Sequence, residues 1–269
     1  MNSAEATPLV DVQSLCINYA GGANVVEDVS FTLLPGQIVG IVGESGSGKT
    51  TLIRAIINLL GSGASIEAGH IWFDGVDTAT LTSEGWRQLR GNHIAMIFQN
   101  PGASLSPMLT IERQFVEAIR NHRDITKAAA RAIALAEISK LGLDEPERVL
   151  ASRPWQLSGG MKQRVAIAMS LAMKPQLIIA DEPTSALDVT TQELVMKELE
   201  LRRRIDGSSV ILVSHNISAC ASVADKLLVM QAGKVNDSGS VADILGRAED
   251  SYAGQLLRSV PHLKVMTDG

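Results

Sequence analysis

A chain of 269 residues with 45% hydrophobic and 20% charged content is long enough to bury a substantial core and too apolar to remain disordered. Its formal net charge of −5 argues against nonspecific binding to nucleic acid or to an anionic membrane surface, both of which attract basic faces. No apolar run approaches the roughly 18 residues that cross a bilayer, and residues 1–7 lack the basic start and apolar middle of a leader, so a protein that stays in the cytosol or docks on a membrane through other chains is expected.

Along the chain, residues 8–40 alternate apolar and polar in short runs, as in Val29-Ser30-Phe31-Thr32-Leu33, and predict antiparallel strands closed by a Pro35-Gly36 turn. Residues 38–42 form a short all-apolar strand that feeds a glycine-rich loop. A helix follows over 51–60, with Ile53, Ile56, Ile57 and Leu60 on one face. Residues 69–75 predict another strand and turn, and 93–98 a buried strand ending at Gln99. From 110 to 143 the period becomes helical, which marks an inserted helical subdomain. Buried strands return at 177–180 and 210–213, separated by a helix over 191–204. Parallel strands alternating with helices imply a doubly wound α/β core. Cys16 and Cys220 suit a reducing compartment and read as small buried hydrophobes. His70, His93, His122, His215 and His262 form no i, i+4 pair and adjoin no carboxylate cluster, so no structural metal is expected.

Three blocks carry chemistry. In Gly43-Glu44-Ser45-Gly46-Ser47-Gly48-Lys49-Thr50-Thr51 the glycines let backbone N–H groups approach phosphate oxygens at a helix start. Lys49 is placed for the β- and γ-phosphates and the Thr50 hydroxyl for Mg²⁺. Asp181 ends a buried apolar strand, where a Mg²⁺ carboxylate belongs, and Glu182 beside it is the candidate general base. Ser158-Gly159-Gly160 opens a helix starting near Met161 and makes a second anion site from a capping hydroxyl, free N–H donors and the helix dipole. A surface turn and a plain cap are the bland readings of the last two blocks.

The phosphate loop, then Leu157-Ser158-Gly159-Gly160-Met161-Lys162-Gln163, then Leu177-Ile178-Ile179-Ala180-Asp181-Glu182 running into Pro183-Thr184-Ser185-Ala186-Leu187-Asp188, resemble in that order the ATP-binding cassette (ABC) family. The resemblance covers about residues 10–261. It implies a P-loop NTPase cassette with a RecA-like core, an antiparallel β-subdomain and an inserted α-helical subdomain. On that pattern residues 8–261 are one ATPase domain. Core and β-subdomain occupy 8–98 and 165–245, the helical subdomain about 100–164, and a short tail 246–269. ATP and Mg²⁺ are the implied cofactors. Residues 157–161 and Gln163 match the signature, which contacts ATP held by a second subunit, and residues 185–188 match the D-loop. His215 matches the switch histidine, Gln99 the glutamine that senses Mg²⁺ or the attacking water, and Tyr19 the aromatic stacking on adenine.

Residues 99–107 with 109–111, and the tail stretch 250–261, resemble the peptide/nickel importer branch, although Ser251 and Ala253 replace the usual Pro and Thr. A cysteine-rich extension common among its peptide-importing members does not follow, which leans the cargo toward nickel or a metal chelate over peptides. The implied partners are a second cassette subunit (an unlike one, or a second copy), two membrane permeases and, indirectly, an extracytoplasmic binding protein. No nucleic acid is implied. The implied place is the cytoplasmic side of the bacterial inner membrane. The competing readings are a soluble ABC ATPase of translation or DNA maintenance, and an exporter ATPase.

Overall fold

A computed structural model of the chain describes residues 7–20, 22–184, 187–247 and 251–259. Ser185 and Ala186 of the expected D-loop lie outside the described residues, as do 250, 260 and 261 of the tail stretch. The elements run β1 (Val10–Tyr19), β2 (Asn24–Leu33), β3 (Ile38–Val42), α1 (Lys49–Ile56), β4 (Ala64–Phe73), β5 (Val76–Asp77), α2 (Ser83–Leu89) and β6 (Ile94–Ile97). They continue with α3 (Ile111–Arg120), α4 (Lys127–Lys140), α5 (Pro146–Ala151), α6 (Gly159–Leu171), β7 (Leu177–Asp181) and α7 (Val189–Asp206). The last are β8 (Ser209–Ser214), α8 (Ile217–Ala221), β9 (Lys226–Gln231), β10 (Lys234–Ser240), α9 (Val241–Gly246) and α10 (Tyr252–Ser259).

Two sheets organise these elements. One is antiparallel with order β2-β1-β4-β5, and the other has order β10-β9-β3-β8-β7-β6. In the second, β3 pairs in parallel with both β8 and β9, β8 with β7 and β7 with β6; only β10 is antiparallel, at the edge. All five residues of β3 and of β7 are buried, as a parallel strand covered on both faces requires. Alternation splits them between two cores. Val39 and Ile41 join the apolar layer shared with α1 and the antiparallel sheet, while Ile38 and Val42 join the layer under the helices. Each fully buried aliphatic contributes roughly 1.5–3 kcal/mol relative to exposure.

Helix α1 differs from the 51–60 periodicity. It begins at Lys49 because Gly48, at φ 96°, turns the chain straight into the helix. It ends at Ile56 because Asn58 adopts φ 51° and the Leu59 N–H returns to the Arg54 carbonyl. The pattern also showed no strand after residue 214, where the structure has β9 and β10. Strand β10 is mostly polar and exposed or half-buried, so it lacks the alternation that would reveal it.

The helical segment opens with threonine caps: Thr110 Oγ1 accepts from the Arg113 N–H and Thr126 Oγ1 from the Ala129 N–H, each of about 1 kcal/mol. A buried ion network ties this segment to the sheet's helices. Arg202 on α7, 3% exposed, donates to Glu137 of α4 and to Glu198 and Asp206 on its own helix. Lys140 pairs with Glu137 and Lys174 with Asp206 at the rim.

Candidate functional site

Strand β3 delivers the chain into the glycine-rich loop, and the close approach of neighbouring backbone explains two of its glycines. A Cβ on Gly43 would meet the Met230 carbonyl oxygen at 2.2 Å, and one on Gly48 the Val25 oxygen at 2.5 Å. Both also have positive φ, so a side chain there meets steric and conformational cost together. Glu44, Ser45 and Gly46 are exposed at the mouth, while Ser47 and Lys49 are buried. The Lys49 ammonium donates to the Gly43 carbonyl at 2.8 Å, the Glu44 carbonyl at 2.7 Å and Ser47 Oγ at 3.3 Å. Burial holds its pKa below the ordinary lysine value, against the pull of Glu182 and Asp181. The ammonium is therefore a poorly hydrated donor, and an incoming anion displaces loop carbonyls and the Ser47 hydroxyl from it rather than bulk water.

Thr50 Oγ1 donates to Asp181 Oδ1 at 3.2 Å. Asp181 is 3% exposed; burial raises its pKa, and the Thr50 bond works against that rise. Two hard oxygen donors side by side under a phosphate loop suit Mg²⁺, which keeps water and phosphate oxygens in the rest of its shell. Thr51 is half-buried on the first turn of α1.

Glu182 stands where β7 ends. Its φ of 46° is left-handed, a conformation costing a non-glycine residue roughly 1–2 kcal/mol, and its N–H is held by the Val213 carbonyl at 2.9 Å. The carboxylate is gripped from both sides. Gln99 Nε2 donates to Oε2 at 3.0 Å, and His215 Nδ1 lies 3.3 Å from Oε1. Three residues separated by up to 116 positions in the sequence thus converge on one carboxyl group. The switch segment is shaped locally, since Ser214 Oγ accepts from the Asn216 N–H and Asn216 Oδ1 accepts from the N–H groups of Ser218 and Ala219. Ser214 and Asn216 had not been singled out from the sequence. A polar pair flanking the switch histidine at a strand-to-helix turn is the signal that could have found them.

Ser158 Oγ caps α6 by accepting from the Met161 N–H at 3.3 Å. Ser158 and Gly159 are exposed, and nothing lies within 4 Å of a Cβ placed on Gly159. Gly160 and Met161 are half-buried and Leu157 is buried. Gln163 faces inward: it is 4% exposed and donates to the Pro183 carbonyl at 2.6 Å, which ties α6 to the turn after Glu182. Leu187 is buried, and Asp188 caps α7 through the Thr191 N–H and hydroxyl. Among the described residues, no hydrogen bond of the exposed Ser158-Gly159 pair reaches this chain's own phosphate loop. Tyr19 is 38% exposed at the end of β1, within about 4 Å of where a Gly61 side chain would begin.

The fold agrees with comparisons to known proteins. The family described as ABC transporter matches residues 26–185. The peptidoglycan transport ATP-binding protein YejF of Agrobacterium fabrum is 42% identical over 97% of this chain and 48% of its own length. The dipeptide transport ATP-binding proteins DppD of Bacillus subtilis and Haemophilus influenzae are 41% and 39% identical, over 95% and 94% of this chain and 77% and 78% of theirs. Among solved structures, the dimeric post-hydrolysis state of the cassette MJ0796 bound to ADP and Pi superposes with a TM-score of 0.77 at 29% identity, covering 86% of this chain and 98% of that one. The cbiO1 protein of Clostridium perfringens gives 0.76 at 25% identity, over 90% and 92%. The chain belongs to the ABC transporter family, as an ATP-hydrolysing cassette whose close relatives fall in the peptide importer branch.

Proposed function

We propose that this chain is the energy-coupling ATPase of a bacterial importer, and that of the two cargo classes the sequence left open, short peptides are the better fit. The relatives reported above carry dipeptide and peptidoglycan transport names, and this moves the balance from metal chelates toward peptides. The single observation behind the enzymatic part is the Glu182 carboxylate held between Gln99 and His215 at the end of β7.

In this reading residues 43–51 hold the nucleotide phosphates, and Tyr19 offers its ring to the adenine. Lys49 turns its donors from loop carbonyls to phosphate oxygens. Thr50, Asp181 and Gln99 hold a Mg²⁺ ion, which when bound neutralises phosphate charge. Glu182 orients the attacking water and takes its proton, and the left-handed backbone aims the carboxylate outward while Gln99 and His215 fix its rotation. His215 then donates toward the terminal phosphate.

The exposed Ser158-Gly159 pair serves a nucleotide on a second cassette, as the N-terminus of α6 presents N–H donors and a favourable dipole to an anion. Two cassettes closing head to tail complete each site, with Leu187 and Asp188 beside the seam. The segment from about 100 to 164 forms a helical subdomain that carries the motion to two permeases at the cytoplasmic face of the inner membrane. Among the described residues no helix is long and apolar enough to cross a membrane itself.

The test is a membrane pull-down of tagged Glu182→Gln protein with ATP present, identified by mass spectrometry. Recovery of two multispanning permeases with a second cassette is the expected result. Ribosomes or DNA-repair proteins without a permease would overturn the transport reading.

A further inference from the structure

The hairpin joining β9 to β10 is tied to the phosphate loop by a backbone hydrogen bond. Its turn has two residues, Ala232 and Gly233, between the paired Gln231 and Lys234. Both have positive φ, 47° and 83°, the conformation of a tight turn that follows the twist of its strands. Gly233 spends both of its backbone groups on other parts of the chain. Its N–H donates to the Ser47 carbonyl at 3.2 Å, and its carbonyl accepts from the Glu27 N–H of β2 at 2.8 Å. A Cβ on Gly233 would meet the Val25 carbonyl oxygen at 2.7 Å, the same oxygen that closes on Gly48. Lys234 pairs with Glu27 at 3.0 Å where both are exposed.

Holding the Ser47 carbonyl also orients the next N–H. No peptide bond here is cis, and in a trans peptide the carbonyl and the following N–H point in opposite directions. With the Ser47 carbonyl fixed on the hairpin, the Gly48 N–H is turned away from it. Among the described residues that N–H donates to no group of the chain, whereas the Ser47 N–H is taken by the Glu44 carbonyl at 3.2 Å. Gly48 is the cap residue of α1, and an unused N–H at a helix start is a donor for an anion.

We infer that Gly233 is a positioning residue for nucleotide binding: its N–H holds the Ser47 carbonyl so that the Gly48 N–H is presented to phosphate. The inference rests on the phosphate-loop reading above. It gives a hairpin nearly two hundred residues from the loop in sequence a part in that site.

The experiment compares Gly233→Ala, Val235→Ala and Lys49→Ala in the full-length protein. It reads ADP affinity by calorimetry, melting without nucleotide, and KM for ATP against kcat. Alanine at 233 pushes the turn off Val25 and draws its N–H from Ser47. ADP affinity should then fall and KM rise about tenfold, the scale of one hydrogen bond to a charged group. The kcat at saturating ATP should stay at the parent level. Val235 packs on the core from β10, so Val235→Ala loosens the hairpin without touching Ser47. It should lower melting, as Gly233→Ala does, and keep parent-like affinity. In the parent protein ADP should slow hydrogen exchange of the Gly233 amide more than along the rest of β10, because a bond that favours the nucleotide is favoured by it. Parent-like affinity in Gly233→Ala while Lys49→Ala loses ADP would overturn the inference alone. So would an affinity loss in Val235→Ala equal to that in Gly233→Ala, which would make the turn a packing element, or a Gly233 amide whose exchange ADP leaves unchanged. Retention of ADP by Lys49→Ala would instead remove the phosphate-loop reading and this inference with it.

Discussion

Around Lys49 the chain closes on itself, whereas around Ser158 it opens outward. The ammonium of Lys49 has three acceptors within the loop, Thr50 bonds Asp181, and Glu182 is held by Gln99 and His215. Among the described residues the serine hydroxyl makes only the cap of its own helix, and the glycine beside it faces open space. Both regions sit at helix starts and both offer donors to an anion. The difference is that the first arranges its candidate catalytic side chains against one another, while the second has donors that, among the described residues, meet no anion of their own chain. On the proposed reading, a half-site of this second kind has work only when another molecule brings the phosphate.

The sharpest way to break the comparison is Glu182→Gln. The amide keeps its place between Gln99 and His215 but cannot take a proton, so turnover should fall about 10²–10⁴-fold with ATP affinity retained. A steady-state assay beside a binding titration decides it, and unchanged turnover would remove Glu182 as base. Ser158→Arg probes the open half. Hydrolysis should be lost at dimer-forming concentrations while ATP binding by the isolated monomer stays at the parent level, with about 1 kcal/mol of stability lost from the helix cap. Loss of monomer binding would mean that Ser158 serves its own loop.

The tie between the helical segment and the helix α7 of the sheet layer carries no chemistry but is costly to break. Arg202→Met leaves Glu137, Glu198 and Asp206 buried around a missing charge and should destabilise by about 3–5 kcal/mol in chemical unfolding. The smallest effect concerns the cysteines. Burial pushes the Cys220 thiol up to about 12, so it should resist a thiol reagent at pH 8 in the folded protein. The half-buried Cys16 should react first, as mass spectrometry of a single-label time course would show.

Much of the closed half is legible in residue order because its parts are local. The run of 38–42 predicts β3 to the residue, since five consecutive apolar residues before a glycine-rich loop leave little alternative. Lys49 and Thr50 follow from the spacing of the loop itself. What is not legible is what distant backbone imposes. That Gly43 must lack a side chain is decided by the Met230 carbonyl on β9, a strand whose pairing with β3 no local pattern announces. Gln163 belongs by order to the signature, yet its bond to the Pro183 carbonyl depends on how α6 meets β7. Periodicity also overran α1, because helical spacing cannot register the left-handed turn at Asn58.

The claim that the open half works on another chain is met most directly by mixing two inactive variants, Lys49→Ala and Ser158→Arg, and measuring ATP hydrolysis while dimer formation is followed by sedimentation. In a head-to-tail pair both lesions fall in one composite site and leave the other intact; with half of the dimers mixed in an equal mixture, activity should return to about a quarter of the parent's if pairing is random and the two sites turn over independently. A mixture that forms dimers and stays at background would contradict the account and return the Ser158 loop to its own chain.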